Sequence, residues 1–298
     1  MTEFAKVGSE QICLLVLGTI LMLVVPLVVA ILWTKRKKER FTTVLAGAAT
    51  FLLFALILEK PIQNVLIFPT QMGLAEHAAS RFINERPVLW AFLVSLFPGV
   101  FEETGRLVAF KTVLKNRKNR ETSISHGLGH GGFEVMLILG LTYATYISYA
   151  VMINTGTFGT VVDQVMAQSP EQAEQVYALA GQIAAFSFGD LAVAVVERIF
   201  AVLNHTGASI LVFYACREKK KFWLYPLAIV LHTALDGVAA FNMAKIITLS
   251  TGELEVFVAV LGSLTFGGAY FLLYKKDSKE KEIIAKNKIS QKDGDRNG

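Results

Sequence analysis

Four short stretches place ionisable side chains inside runs that are otherwise apolar. LFPGVFEETGRLVAF, residues 96–110, holds Glu102, Glu103 and Arg106, and GHGGFE, residues 129–134, holds His130 and Glu134. ERIFAVLNHTGAS, residues 197–209, holds His205 after Glu197 and Arg198, and LHTALDG, residues 231–237, holds His232 and Asp236. Neutral imidazoles and carboxylates are the usual ligands of a catalytic zinc, which keeps one position for water and lowers that water's pKa to about 7. A further carboxylate can then serve as general base. This donor set points to hydrolysis by an activated water.

Spacing decides which of these groups can meet. Residues four apart share a helical face, so Glu102 with Arg106, His130 with Glu134, and His232 with Asp236 can each point at one interior. Adjacent Glu102 and Glu103 diverge by about 100° and should not share one role. We expect Glu102 on the site with Arg106 nearby, and Glu103 at its edge or behind it. Each set also has a structural reading. Arg106 can simply neutralise Glu102 as a buried ion pair, His130 can be a solvated terminal histidine, Asp236 can only orient His232, and Glu197 with Arg198 reads more readily as structural than catalytic. An ionisable group at the bilayer centre costs from a few to more than ten kcal/mol, which makes function the default reading of the four sets together.

The elements that position them are transmembrane helices. Of 298 residues, 53% are hydrophobic and 18% charged, and the mean hydropathy is +0.49; an ordinary soluble domain is less oily. Spans of about 20 apolar residues are predicted at 12–34, 41–58, 88–114, 130–153, 194–216, 222–243 and 255–274. The formal net charge of +5 comes from basic clusters beside these runs, which orient a membrane protein rather than recognise nucleic acid. The clusters at 34–40, 115–120, 217–221 and 275–281 put the N-terminus outside and the C-terminus in the cytoplasm, and the positive charge follows the first span rather than preceding it, unlike a secretion signal. Segment 61–86 reads as an external interfacial helix and 175–193 as interfacial or re-entrant; an eighth crossing there would require one cluster to break the charge rule. The expectation is an all-α polytopic bundle, one membrane domain over 1–274 with its chemistry in 88–243, followed by a polar, disordered tail at 275–298. Cys13 and Cys216 form no metal or redox spacing.

Several tempting motifs fail on context. GLGHGG (127–132) matches a dinucleotide fingerprint, but no strand precedes it, so close helix packing accounts for its glycines better. There is no H-E-x-x-H, Ser209 lacks a glycine-flanked serine loop, and Asp190 lacks the surroundings of a membrane aspartyl protease.

FEETGR, GHGGFE, the mid-membrane histidine of ERIFAVLNHTGAS, and LHTALD, in this order, resemble the YhfC family of intramembrane metalloproteases, a distant branch of the CAAX-protease and bacteriocin-processing superfamily. The superfamily hallmark H-x-x-x-N/D is met by His232 and Asp236. E-E-x-x-x-R is shortened by one residue, Arg106 following Glu103 by three, and F-x-x-x-H is not met, Phe200 preceding His205 by five; both departures favour the YhfC-like subgroup. Glu102, Glu103, Arg106 and Glu134 are the candidate catalytic residues, and His130, His205, His232 and Asp236 the candidate metal ligands; the resemblance implies that Glu102 and Glu103 activate water while His130, His205 and His232 bind a metal or stabilise the oxyanion, with zinc and a metal-independent mechanism as alternatives. The expected protein is a multi-pass peptidase of the bacterial plasma membrane acting on a peptide or membrane-protein substrate. Midplane Glu, His and Asp also make proton relays, so an ion-coupled transporter is a second reading, and an inactive scaffold is a third.

Overall fold

Besides an apolar core, large apolar side chains cover the outside of the helices, and several charged or ionisable ones are buried. Ile20, Val24, Leu27 and Leu32 of the first helix are exposed, whereas Glu59, Glu103, Arg106, His126 and His130 are buried. A hydrocarbon solvent imposes this pattern. The computed structural model describes residues 4–168 and 173–277, so the expected tail lies outside the described residues from 278 onward.

Among the described residues, seven helices are long and apolar enough to cross a membrane: α1 (Ser9–Lys37), α2 (Phe41–Ile67), α4 (Pro87–Lys111), α5 (Glu121–Thr155), α8 (Phe188–Arg217), α9 (Lys219–Met243) and α10 (Thr251–Asp277). Three short helices join them, α3 (Ala78–Asn84), α6 (Gly159–Gln168) and α7 (Ala173–Ala184), and no strand occurs among the described residues. The fold is the all-α polytopic bundle that hydropathy predicts.

Three boundaries differ from the sequence expectation. First, α5 begins at Glu121, not at 130, so His130 lies well inside the helix. The added turns, ETSISHGLG, are polar, but Ser123, Ser125 and His126 are buried, so this face looks into protein rather than lipid. Second, α2 runs on to Ile67 through a π-helical stretch at Phe51–Glu59. The expected interfacial helix at 61–86 therefore divides into the end of α2, a 3-10 turn at Pro69–Met72, and α3. Third, 175–193 is divided between α7 and the start of α8. At 12 residues, α7 rises about 18 Å, less than the roughly 30 Å of hydrocarbon. The Ser187 hydroxyl accepts from Asp190 N at 3.2 Å where α8 starts.

Two compact units are distinguished: Met1–Val29 with Phe133–Arg198, and Ala30–Gly132 with Ile199–Gly298. In the first, Asn154 bonds Val7 main chain at 2.8 Å in both directions, and the Phe4 ring stacks on Tyr177. In the second, α4 and α9 pack along each other, and glycines of α5 let its backbone touch its neighbours. A Cβ on Gly129 would lie 2.0 Å from the Val44 carbonyl oxygen of α2, and one on Gly127 would lie 2.5 Å from Thr206 Cα of α8. Neither neighbour is a flexible side chain that can yield. Gly129→Ala is therefore expected to cost about 1–3 kcal/mol or more, as overpacking does. The measurement is the thermal unfolding midpoint in detergent, with Gly181→Ala as control because nothing lies within 4 Å of its added Cβ.

Candidate active site

Four helices of the second unit converge through their polar residues. α4 contributes Glu102, Glu103 and Arg106; α5 contributes His126 and His130; α8 contributes His205 and Ser209; α9 contributes His232 and Asp236. Glu103, Arg106, His126 and His130 have no exposed surface, and Glu102 retains 6%.

Glu102 is the centre. His130 Nε2 donates to its Oε2 at 2.8 Å, and the same oxygen lies 3.9 Å from His205 Nδ1 and 3.9 Å from His232 Nε2. Glu103 faces the other way, as the helical divergence requires. Its Oε1 accepts from Arg106 Nη1 at 2.6 Å and from His232 Nδ1 at 2.8 Å. That second bond orients the imidazole so that Nε2 looks toward Glu102 and toward Asp236 Oδ2, 3.5 Å away. The Arg106 guanidinium ties α4 to α8. Besides Glu103 it donates from Nη2 to His205 Nδ1 at 2.8 Å and from Nε to Ser209 Oγ at 3.3 Å. In a low-dielectric interior one planar cation thus satisfies a carboxylate, an imidazole and a hydroxyl.

The group Glu102, His130 and His205 can hold a metal ion, one ligand atom from each lying within 4.8 Å of the others. One carboxylate and two imidazoles are the nitrogen and oxygen chemistry that zinc takes. Zinc bonds of 2.0–2.2 Å in tetrahedral geometry separate ligand atoms by about 3.3–3.6 Å. The spacings of 2.8 and 3.9 Å around Glu102 bracket that range, so small shifts suffice. Among the described residues His130 Nδ1 is buried without a hydrogen-bond partner, so no second bond fixes the tautomer, and with the proton on Nδ1 the Nε2 lone pair is open to an ion.

Of the residues expected from sequence, Glu102, Glu103, Arg106, His130, His205, His232 and Asp236 come together. Glu102, expected to activate water, stands among the metal-capable donors, while His232 and Asp236, expected as ligands, stand beside them. Glu134 lies in the first unit, where its Oε1 accepts from Arg198 at 3.2 Å, and Glu197 also pairs with Arg198. Sequence reasoning missed His126 and Glu59. His126 sits one turn before His130, its Nδ1 3.2 Å from Ser209 Oγ and its Nε2 3.2 Å from Thr50 Oγ1; the H-x-x-x-H spacing is its signal. Glu59 of α2 is 1% exposed and lies within electrostatic range of Glu102 and Asp236. Lys60 Nζ approaches its Oε1 at 3.5 Å, and Oε2 has no hydrogen-bond partner among the described residues.

The chain is similar to known proteins. The model of the family described as YhfC intramembrane metalloprotease matches residues 21–258. The "Uncharacterized membrane protein YhfC" of Bacillus subtilis (strain 168) is 28% identical over 263 residues, covering 87% of this chain and 95% of its own. No solved structure matches the chain.

Proposed function

Since the chain belongs to the YhfC intramembrane metalloprotease family, we propose that it hydrolyses a peptide bond within or beside the membrane, at the cluster around Glu102. The observation that carries this reading is the buried group of Glu102, His130 and His205, three donor residues from three helices. In water these side chains would scatter; here the fold holds them within reach of one small ion.

Glu102, His130 and His205 would hold the metal, with zinc the best fit to their donors. When bound, it would supply a water acidic enough to attack a carbonyl near neutral pH. The chain's own residues do the rest. His232 is held by Glu103 through Nδ1 and turns Nε2 toward Glu102, a base oriented by a third group. It is placed to take the proton of the attacking water and return it to the leaving amine. Arg106 pairs with Glu103 and holds the imidazole of His205 in one orientation. Substrate backbone must unwind locally to reach these groups, and the substrate is a peptide or a membrane protein. The basic clusters favour an N-terminus outside and a C-terminus in the cytoplasm, and similarity to a Bacillus subtilis membrane protein favours a bacterial plasma membrane.

One observation favours a metal-free form of the same reaction. Arg106 already donates to His205 Nδ1, so that lone pair is engaged and a cation already neutralises the carboxylates. Glu102 itself would then polarise the water. Metal analysis of purified protein separates the two. The metal reading expects about one zinc per chain, lost in His130→Ala and His205→Ala variants that keep the wild-type helical content. Full cleavage activity after exhaustive chelation would leave the metal-free form standing.

A further inference from the structure

Where α4 and α8 end, the chain forms a second polar site, separated from the histidines by Phe110, whose ring packs on His126. A cavity of about 430 Å³ is lined by Lys111, Lys115, Arg117, Lys118 and Arg217, over a floor that includes Phe110, Leu114 and Phe213. No acidic side chain lines it among the described residues. Two of the cations have partners: Arg117 lies 3.6 Å from Glu39 and Arg217 lies 3.7 Å from Asp277. Lys111 rests over the Phe222 ring at 5.0 Å, and neither Lys115 nor Lys118 has an ion pair among the described residues. Five cations against two carboxylates leave three charges uncompensated. Like charges held around one hollow repel, and an anion between them relieves the repulsion.

We propose that this cavity binds a phosphate group, and that a phospholipid headgroup supplies it. The apolar surroundings argue for the lipid source. Phe110 and Phe213 are buried beneath the hollow, whereas Val108 of α4 and Val113 just beyond its end, close in sequence to Lys111 and Lys115, are exposed, so a headgroup seated among the lysines has apolar side chains beside it for its acyl chains. Basic hollows between transmembrane helices take anionic headgroups by this combination of charge and apolar contact. The hollow holds no residue of the Glu102 cluster, so the proposal does not depend on the peptidase reading.

The test uses the full chain in a neutral detergent. Phosphatidylglycerol, phosphatidylcholine and inorganic phosphate are titrated separately, with bound lipid read by native mass spectrometry and stability by thermal shift. Phosphatidylglycerol is expected to bind and raise the unfolding midpoint, with affinity falling as salt rises. Lys111→Gln, Lys115→Gln and Lys118→Gln combined should weaken it about a hundredfold, whereas arginine at the same three positions should retain it. Glutamine at Lys219, Lys220 and Lys221 serves as the control for net charge. Stabilisation by inorganic phosphate but not by lipid, lost in the same triple glutamine variant, keeps the phosphate site and makes its source soluble. Equal binding of phosphatidylcholine, or undiminished binding by the triple glutamine variant, overturns the proposal.

Discussion

Glu102→Gln is expected to lower peptide cleavage by about 10³- to 10⁴-fold while leaving the folded bundle intact, the scale at which losing a catalytic carboxylate is felt. The substitution keeps the shape of the side chain and removes its charge. Its Oε2 is the atom toward which His130, His205 and His232 all turn, so no other group takes its place. Metal content in the same variant decides which role is lost. A ligand role predicts that zinc and activity disappear together; a role in polarising water predicts that zinc stays and activity goes. Cleavage at the wild-type rate in purified Glu102→Gln protein of normal helical content would remove this cluster from the chemistry altogether.

The second large effect concerns folding. Arg106→Leu leaves Glu103 fully buried without its cation, and breaking a buried pair from one side costs about 3–5 kcal/mol. Such a loss is a large share of a typical domain's stability, so the variant is expected to unfold at markedly lower temperature in detergent. Arg106→Lys should recover little, because an ammonium cannot reach Glu103, His205 and Ser209 with the geometry of the guanidinium fork. Adding Glu103→Leu to Arg106→Leu should restore most of the stability, since an apolar pair removes the uncompensated charge. A double variant no more stable than Arg106→Leu alone would show that the arginine acts through His205 and Ser209 instead.

How far the amino-acid pattern reveals this molecule depends on what each residue faces. The seven crossings are legible because each carries an apolar run long enough for the hydrocarbon. Glu102, His205 and His232 are legible because a charge or imidazole in such a run is too costly to sit idle against lipid. The first turns of α5 are not legible. ETSISHGLG looks like a loop to any hydropathy window, since burial against other polar residues leaves no apolar signature. His126 is lost with them, although it lies one turn from His130. Glu59 is hidden differently, at the end of an apolar run where a carboxylate reads as the membrane boundary. Glu134 shows the limit of helical spacing. Four residues from His130 it shares that helix's face, yet spacing along one helix cannot say which partner on another will claim it, and Arg198 does. The division of labour between Glu102 and Glu103 is legible only as a divergence of direction; which one looks into the cluster depends on where α5, α8 and α9 stand.

The backbone contacts at Gly127 and Gly129 bear on how this chemistry could change over generations or in the hands of an engineer. Where two helices meet through side chains, a substitution can be absorbed by a neighbour's rotamer, and the spacing drifts a little. Where they meet main chain to main chain there is nothing to repack, so the station of His126 and His130 along α5 is inherited from the trace of the chain itself. The lining around the cluster, such as Phe51 packed edge-on to His130, can then be exchanged to admit other shapes without moving the imidazoles. Latitude in what surrounds the cluster and rigidity in the cluster itself are separable here, and two residues with no side chain are what separate them.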